Sequence, residues 1–216
     1  MAGLYGKHRA FGDFISLGLK GETGAALENW LHAILPRAKS TLGEAWDGIF
    51  DSGMELRFWA GQGVLSPGPV CGILRPSRDK VGRRFPLLAI VEDAVPLPPV
   101  IDPDQTLYAA LSTGLDALEG EAPLETLNAH LAELGDYRTV EADEPGFWAV
   151  NPETPVEELL TAIAATDHLR ATRGRSYWWS AGDPLRAAAV QVCAGLPDAD
   201  GFNWLTAGVS RQEATG

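Results

Sequence analysis

The run Phe85–Val91, "FPLLAIV", constrains the fold more than any other stretch of the chain. It is apolar without alternation, so both faces of the element it forms must be covered. It is far shorter than the roughly 18–20 residues a membrane-spanning helix requires, and no other apolar run reaches that length. A strand of this kind belongs in a sheet with a layer on each side. The expected fold is therefore α/β, a three-layer α-β-α sandwich around a mixed sheet. Immediately upstream, Arg75, Arg78, Lys80, Arg83 and Arg84 crowd one short segment, with Asp79 the sole acid among them.

That basic segment stands in an acidic protein. Lys and Arg number 17 against 29 Asp and Glu, a net charge of −12. Such a surface repels phosphate backbones and argues against nucleic-acid binding, whereas a local basic patch can still meet an acidic partner. A length of 216 residues suits one domain, 1–216, and 45% hydrophobic with 21% charged residues reads as globular. The N-terminus is punctuated by glycine and lacks the apolar core of a signal peptide, so a soluble cytoplasmic protein without membrane insertion is expected. Cys71 and Cys193 lie in apolar segments with no CxxC spacing, which suits buried thiols in a reducing compartment.

Along the chain the hydrophobic period changes. After a short strand at Phe14–Leu17, the residues Leu27, Trp30, Leu31, Ile34 and Leu35 repeat at helical spacing. Pro36 is expected to interrupt that helix and open a second one carrying Leu42, Ala45, Trp46, Ile49 and Phe50. From residue 54, "MELRFWAG", "VCGILRP" and "FPLLAIVED" read as strands, with the "PGP" at 67–69 as a turn. Helices are expected over 104–119 and 123–134, started by Asp104 and Pro123. Further on, "GFWAV" at 146–150 reads as a strand. "TPVEELLTAIAATDHL" reads as a helix with Thr154 and Glu157 as a capping box. "SYWWS" and "AAAVQVCAGLP" supply the last strands, and "GFNWLTAG" a closing helical turn.

Signatures of catalysis are missing from this pattern. Gly3, Gly6 and Lys7 lack the spacing and the Ser or Thr of a phosphate loop, and no GxSxG elbow occurs. His130 with Glu133, and Glu28 with His32, share helix faces, but no further ligands are marked. No metal or cofactor is therefore expected, and catalysis would have to be assembled from scattered residues. Asp198 and Asp200 sit in turn-like sequence, where Asp is common.

The basic segment has three readings. Its arginines can form an ion-pair network that holds the loop, with Asp13 a credible partner; Arg suits such bidentate pairing. They can instead present a cationic face to a partner, the candidate contacts being Arg75, Ser77, Arg78, Asp79, Lys80, Arg83 and Arg84. The third reading is an active site. Of the seven tryptophans, most are expected in the core; Trp178 and Trp179, being adjacent, face opposite sides of a strand.

Several ordered motifs carry a family resemblance. Gly6, Lys7, Gly12, Asp13 and Phe14 form the first; Trp30 and Leu31 the second; Leu42, Gly43 and Trp46 the third. Arg57 and Phe58 follow, then Pro76, Ser77, Asp79, Val81, Gly82, Arg83, Phe85, Pro86 and Leu87. In this order they resemble the TagF/ImpM family of type VI secretion accessory proteins. The likeness extends over most of the chain, with Gly12, Asp13, Phe14, Trp30 and Trp46 as its structural motif residues. Arg9 stands where the family has proline, Glu28 and Asn29 occupy the region of its first tryptophan, and Leu56 replaces the tryptophan before Arg-Phe. The resemblance implies a cytoplasmic α/β sandwich without catalytic residues. It also implies a post-translational negative regulator of secretion assembly that binds a scaffold protein with a forkhead-associated domain. Some members carry a PppA-type phosphatase domain; no such signature occurs here, so that activity is not carried over. A rival expectation is a domain that binds a phosphate ligand or hydrolyses it, using Asp13, Asp79 and the neighbouring arginines.

Overall fold

The computed structural model describes residues 2–118, 122–134, 136–140 and 167–211, with positions 153, 155, 156, 158 and 163 between them. Its centre is a seven-stranded sheet in the order β2-β1-β5-β4-β3-β6-β8. The strands are β1 (Ala2–Gly6), β2 (Ile15–Leu17), β3 (Leu56–Ala60), β4 (Val70–Arg75), β5 (Leu87–Val91), β6 (Arg175–Ser180) and β8 (Ala189–Ala194). A separate pair joins β7 (Arg186–Ala187) to β9 (Val209–Ser210). Strands from both ends of the described chain therefore enter one sheet.

Helices cover both faces, as the unbroken apolar strands require. On one face lie α1 (Gly21–Leu42), α2 (Trp46–Asp51) and α6 (Ala199–Ala207). They pack on Tyr5, Leu56, Phe58, Leu74, Leu88, Ile90 and Trp178. On the other lie α3 (Thr106–Asp116) and α4 (Pro123–Ala132), over Leu4, Trp59, Cys71, Ile73, Ala89, Val91 and Trp179. The short α5 (His168–Ala171) precedes β6. Adjacent residues in one strand thus belong to different cores, as in Phe58 and Trp59 or Trp178 and Trp179. Both tryptophans of the second pair are buried, so neither marks an exposed face. Fully burying a large side chain of this kind contributes about 1.5–3 kcal/mol. The indole N–H groups of Trp59 and Trp178 also find acceptors, on Pro96 O and Ser176 Oγ, so their burial leaves no polar group stranded.

The three-layer α/β expectation holds, and the mixed sheet does not. Every described pairing in the large sheet is antiparallel. The strands β3, β4 and β5 follow one another through short loops, which favour antiparallel neighbours; parallel pairing requires a long crossover.

Two further corrections concern α1. It runs through Pro36 without ending, with Thr23, Leu27, Trp30, Leu31, Ile34 and Ala38 buried along one face. Burial of that stripe outweighs the missing Pro36 N–H, and the ring faces outward. The break comes instead at Gly43, whose positive φ stops the helix before a 3-10 turn leads into α2. The strand β1 was not legible at all, because "AGLYG" is short and small. The helices α3 and α4 fall close to expectation: Pro123 opens α4, and Asp104 takes the N–H of Thr106 at the start of α3. Asp198 caps α6 through Gly201 N, and the short pair β7–β9 was not expected. The expected strand at 146–150 lies outside the described residues, as do Thr154 and Glu157 of the expected capping box. Cys71 is buried; Cys193 is only half-buried.

Candidate functional site

The segment after β4 is an antiparallel hairpin that extends the β4–β5 ladder beyond the sheet. Phe85 N donates to Ser77 O at 3.0 Å and Asp79 N to Arg83 O at 3.1 Å, with a bridge between Arg78 and Arg84. Gly82, at φ +88, closes the turn by donating its N–H to Asp79 O. Its cations leave in three directions.

Arg75, at the base, turns toward α3. Its guanidinium donates to Glu55 at 2.6 Å, to Asp116 at 2.6 Å and to the carbonyl and hydroxyl of Ser112. Burial works against its charge, and the bonds to Asp116 and Glu55 outweigh that effect. Glu55 also faces Arg57 at 3.5 Å, and Arg57 shares Gln105 Oε1 with the indole of Trp179.

Arg78 and Arg84 face each other across the hairpin and converge on Asp51 at the end of α2. Arg84 donates to both Asp51 oxygens at 2.9 and 2.8 Å, and reaches Asp47 at 2.9 Å. Arg78 donates to both oxygens as well. Hydrogen bonds from Arg84 and then Arg78, opposed by partial burial, push the Asp51 carboxyl down to about 2.

Asp79 ties the hairpin to the N-terminal loop. Its side chain is wholly buried and accepts from the N–H groups of Val81 and Arg83, from Arg83 Nε at 2.5 Å and from Lys7 Nζ at 3.1 Å. Burial alone would raise its pKa; the bonds from Arg83 and Lys7 prevail and hold it well below the usual carboxylate range. The two loops are stitched further by Lys80 N to Phe11 O, Arg83 Nη2 to Gly12 O and Lys7 N to Pro86 O. Gly6 permits that approach: it has φ +124, and an added Cβ would lie 1.9 Å from Pro86 O.

The structure thus gathers Asp79, Arg83 and Gly12 but leaves Asp13 apart. Asp13 is exposed and accepts only from its neighbour Phe14 N, so the expected ion pair to an arginine does not form among the described residues. Phe14 packs edge-on against Tyr5 and Phe85, at 4.7 and 5.3 Å between ring centres. Trp30 and Trp46 are core residues, the first bonded to Pro197 O and against Trp178. Asp47, Asp51 and Glu55 escaped the sequence reading, and Lys7 entered it only as a motif residue, not as a partner of Asp79. Lys7 sits inside the first motif, while Asp47 and Asp51 at i,i+4 are a faint signal of an acidic helix face.

Two cavities flank the hairpin. One is a groove of about 700 Å³ between α1, α2 and the hairpin, walled by Leu31, Leu35, Pro36 and Phe85 and rimmed by Lys39 and Arg83. The other, about 440 Å³, lies on the opposite side between the hairpin and the N-terminal loop. Among the described residues no group of His, Cys, Asp or Glu is placed to hold a metal ion, and no helix is long and apolar enough to cross a membrane.

This arrangement, a β4–β5 hairpin locked to a Gly-Lys loop, coincides with a family profile. The TagF N-terminal domain, described as type VI secretion system-associated, matches residues 3–134. The chain belongs to the TagF family. A solved structure, PA0076 from Pseudomonas aeruginosa PAO1, is similar at 27% identity with a TM-score of 0.71, covering 94% of this chain and 92% of that one. No curated protein matches the chain. The TagF match contains the whole hairpin and both of its carboxylate anchors, Asp51 and Asp79, along with α1 and α2.

Proposed function

We propose that this TagF-family chain is a non-enzymatic cytoplasmic regulator that restrains type VI secretion assembly by binding a scaffold protein with a forkhead-associated domain. The observation that carries the reading is the groove beside the hairpin. Its walls are apolar, and its rim carries Lys39, Arg83 and Arg84 against the one acid Asp47. Arg84 is paired to Asp47 and Arg83 to Asp79; Lys39 is left to meet an acidic, partly apolar segment of a partner. Most arginines of the cationic cluster are committed to carboxylates of the same chain, which favours a network that holds the hairpin beside the groove over an active site. The rival hydrolytic reading draws no support from Asp79, whose oxygens are buried and fully engaged, or from Asp13, which is turned to its own backbone.

Co-purification with the scaffold tests the reading. The variant His32→Glu/Lys39→Glu, changed at two exposed positions of α1 that line the groove, is expected to lose capture while keeping a melting temperature close to that of the wild type. Undiminished capture by that folded variant would remove the groove from the account.

A further inference from the structure

The second cavity holds a set of donors that the docking reading does not use. His8 is 7% exposed, and its Nδ1 accepts the N–H of Ala10 at 3.3 Å. Burial first, and the charge of Arg9 second, lower its pKa and favour the neutral ring. With Nδ1 an acceptor, the proton sits on Nε2, which has no partner among the described residues. The hydroxyl of Ser77 and the side chains of Arg9 and Lys80 line the same cavity, and none of them has a hydrogen-bond or ion-pair partner among the described residues. Two unpaired cations at one cavity stand out in a chain with 29 acids and 17 bases.

Two carboxylates, Asp79 and Asp116, also line the cavity. Asp79 is held by Lys7 and Arg83, and Asp116 by Arg75. Neither of them is paired with Arg9 or Lys80. The cavity is also held in shape, since Lys80 N is bonded to Phe11 O and Asp79 fixes the turn that presents Lys80. Leu87 and Leu115 add apolar wall.

We infer that this cavity binds a small phosphomonoester, with Arg9 and Lys80 facing its dianionic head and His8 Nε2 and Ser77 Oγ donating to its oxygens. Two cations match two negative charges, and Arg with Lys is a common pairing for phosphate. The volume exceeds what inorganic phosphate fills and lies in the range of small-molecule sites, so the apolar wall contacts the organic group of the ester. This inference is independent of scaffold binding, and its failure would leave that reading intact.

Calorimetric titration of the full chain at low salt with phenyl phosphate, inorganic phosphate and benzoate is the test. Saturable binding of phenyl phosphate is expected, tighter than that of the other two. Arg9→Ala and Lys80→Ala are each expected to weaken it about 10-fold or more, and Ser77→Ala by less, without a change in melting temperature. Lys39→Ala, in the groove on the other side, leaves it unchanged. No saturable binding would overturn the proposal, as would binding that survives Arg9→Ala/Lys80→Ala. Equal affinity for inorganic phosphate would overturn the ester assignment, and equal affinity for benzoate the phosphate assignment.

Discussion

The two sides of the β4–β5 hairpin are built from the same residue types and treat them in opposite ways. Toward α2, Arg78 and Arg84 are clamped on Asp51, with Asp47 as a second acceptor. Toward the N-terminal loop, Lys80 and Arg9 reach the cavity with no carboxylate engaged among the described residues. A charge cluster in sequence therefore says little about which charges are spent. The difference is whether a neighbouring element delivers an acid: α2 ends in Asp51 beside the bridge, and the N-terminal loop supplies only Gly12 and Phe11 carbonyls and Lys7.

The contrast can be broken by substitution, starting with its anchor. Asp79→Ala leaves Lys7 and Arg83 without their acceptor and frees the turn; the expected fall in melting temperature is on the order of 10 °C. Asp51→Asn comes next. It weakens two charged pairs and leaves two guanidinium groups side by side, at a cost of about 1–2 kcal/mol, read by urea unfolding. The same carboxylate gives a pH signature. Its folded pKa, near 2, lies below the ordinary value of 3.8, so its contribution is full above about pH 4 and fades as pH falls toward 2. Thermal melts across that window should show a shallower acid loss in Asp51→Asn than in the wild type. Lys80→Ala sits at the other end of the scale: an exposed, unpaired side chain is expected to change stability by under about 0.5 kcal/mol. A large loss there would erase the distinction between the two sides.

The sequence disclosed the layers better than the joints. Unbroken apolar strands and one-sided helices announced a covered sheet, and Phe85–Val91 supplied a central strand in which every residue of β5 is buried. Strand direction was hidden because it depends on how the chain returns to the sheet: β1 with β5 and β3 with β6 pair antiparallel across long connections. Pro36 misled because a proline on the outer side of a long buried stripe costs less than breaking that stripe. At the hairpin the cations were plain, and their acceptors were not: Asp51 lies 27 positions before Arg78 and 33 before Arg84, on another element. Asp13 drew attention by being close in the motif, yet the partner on its loop is the Gly12 carbonyl. No pattern in the sequence marks His8; its burial beside two unpaired cations is a property of the folded loops alone.

The central claim is that the groove between α1, α2 and the hairpin receives the scaffold protein. Hydrogen exchange of the full chain, alone and saturated with purified scaffold, tests it most directly. New protection is expected over residues 31–39 and 82–85, the two walls of the groove, with β8 unchanged. Protection that leaves both walls as they are in the free chain, and falls elsewhere, would contradict it.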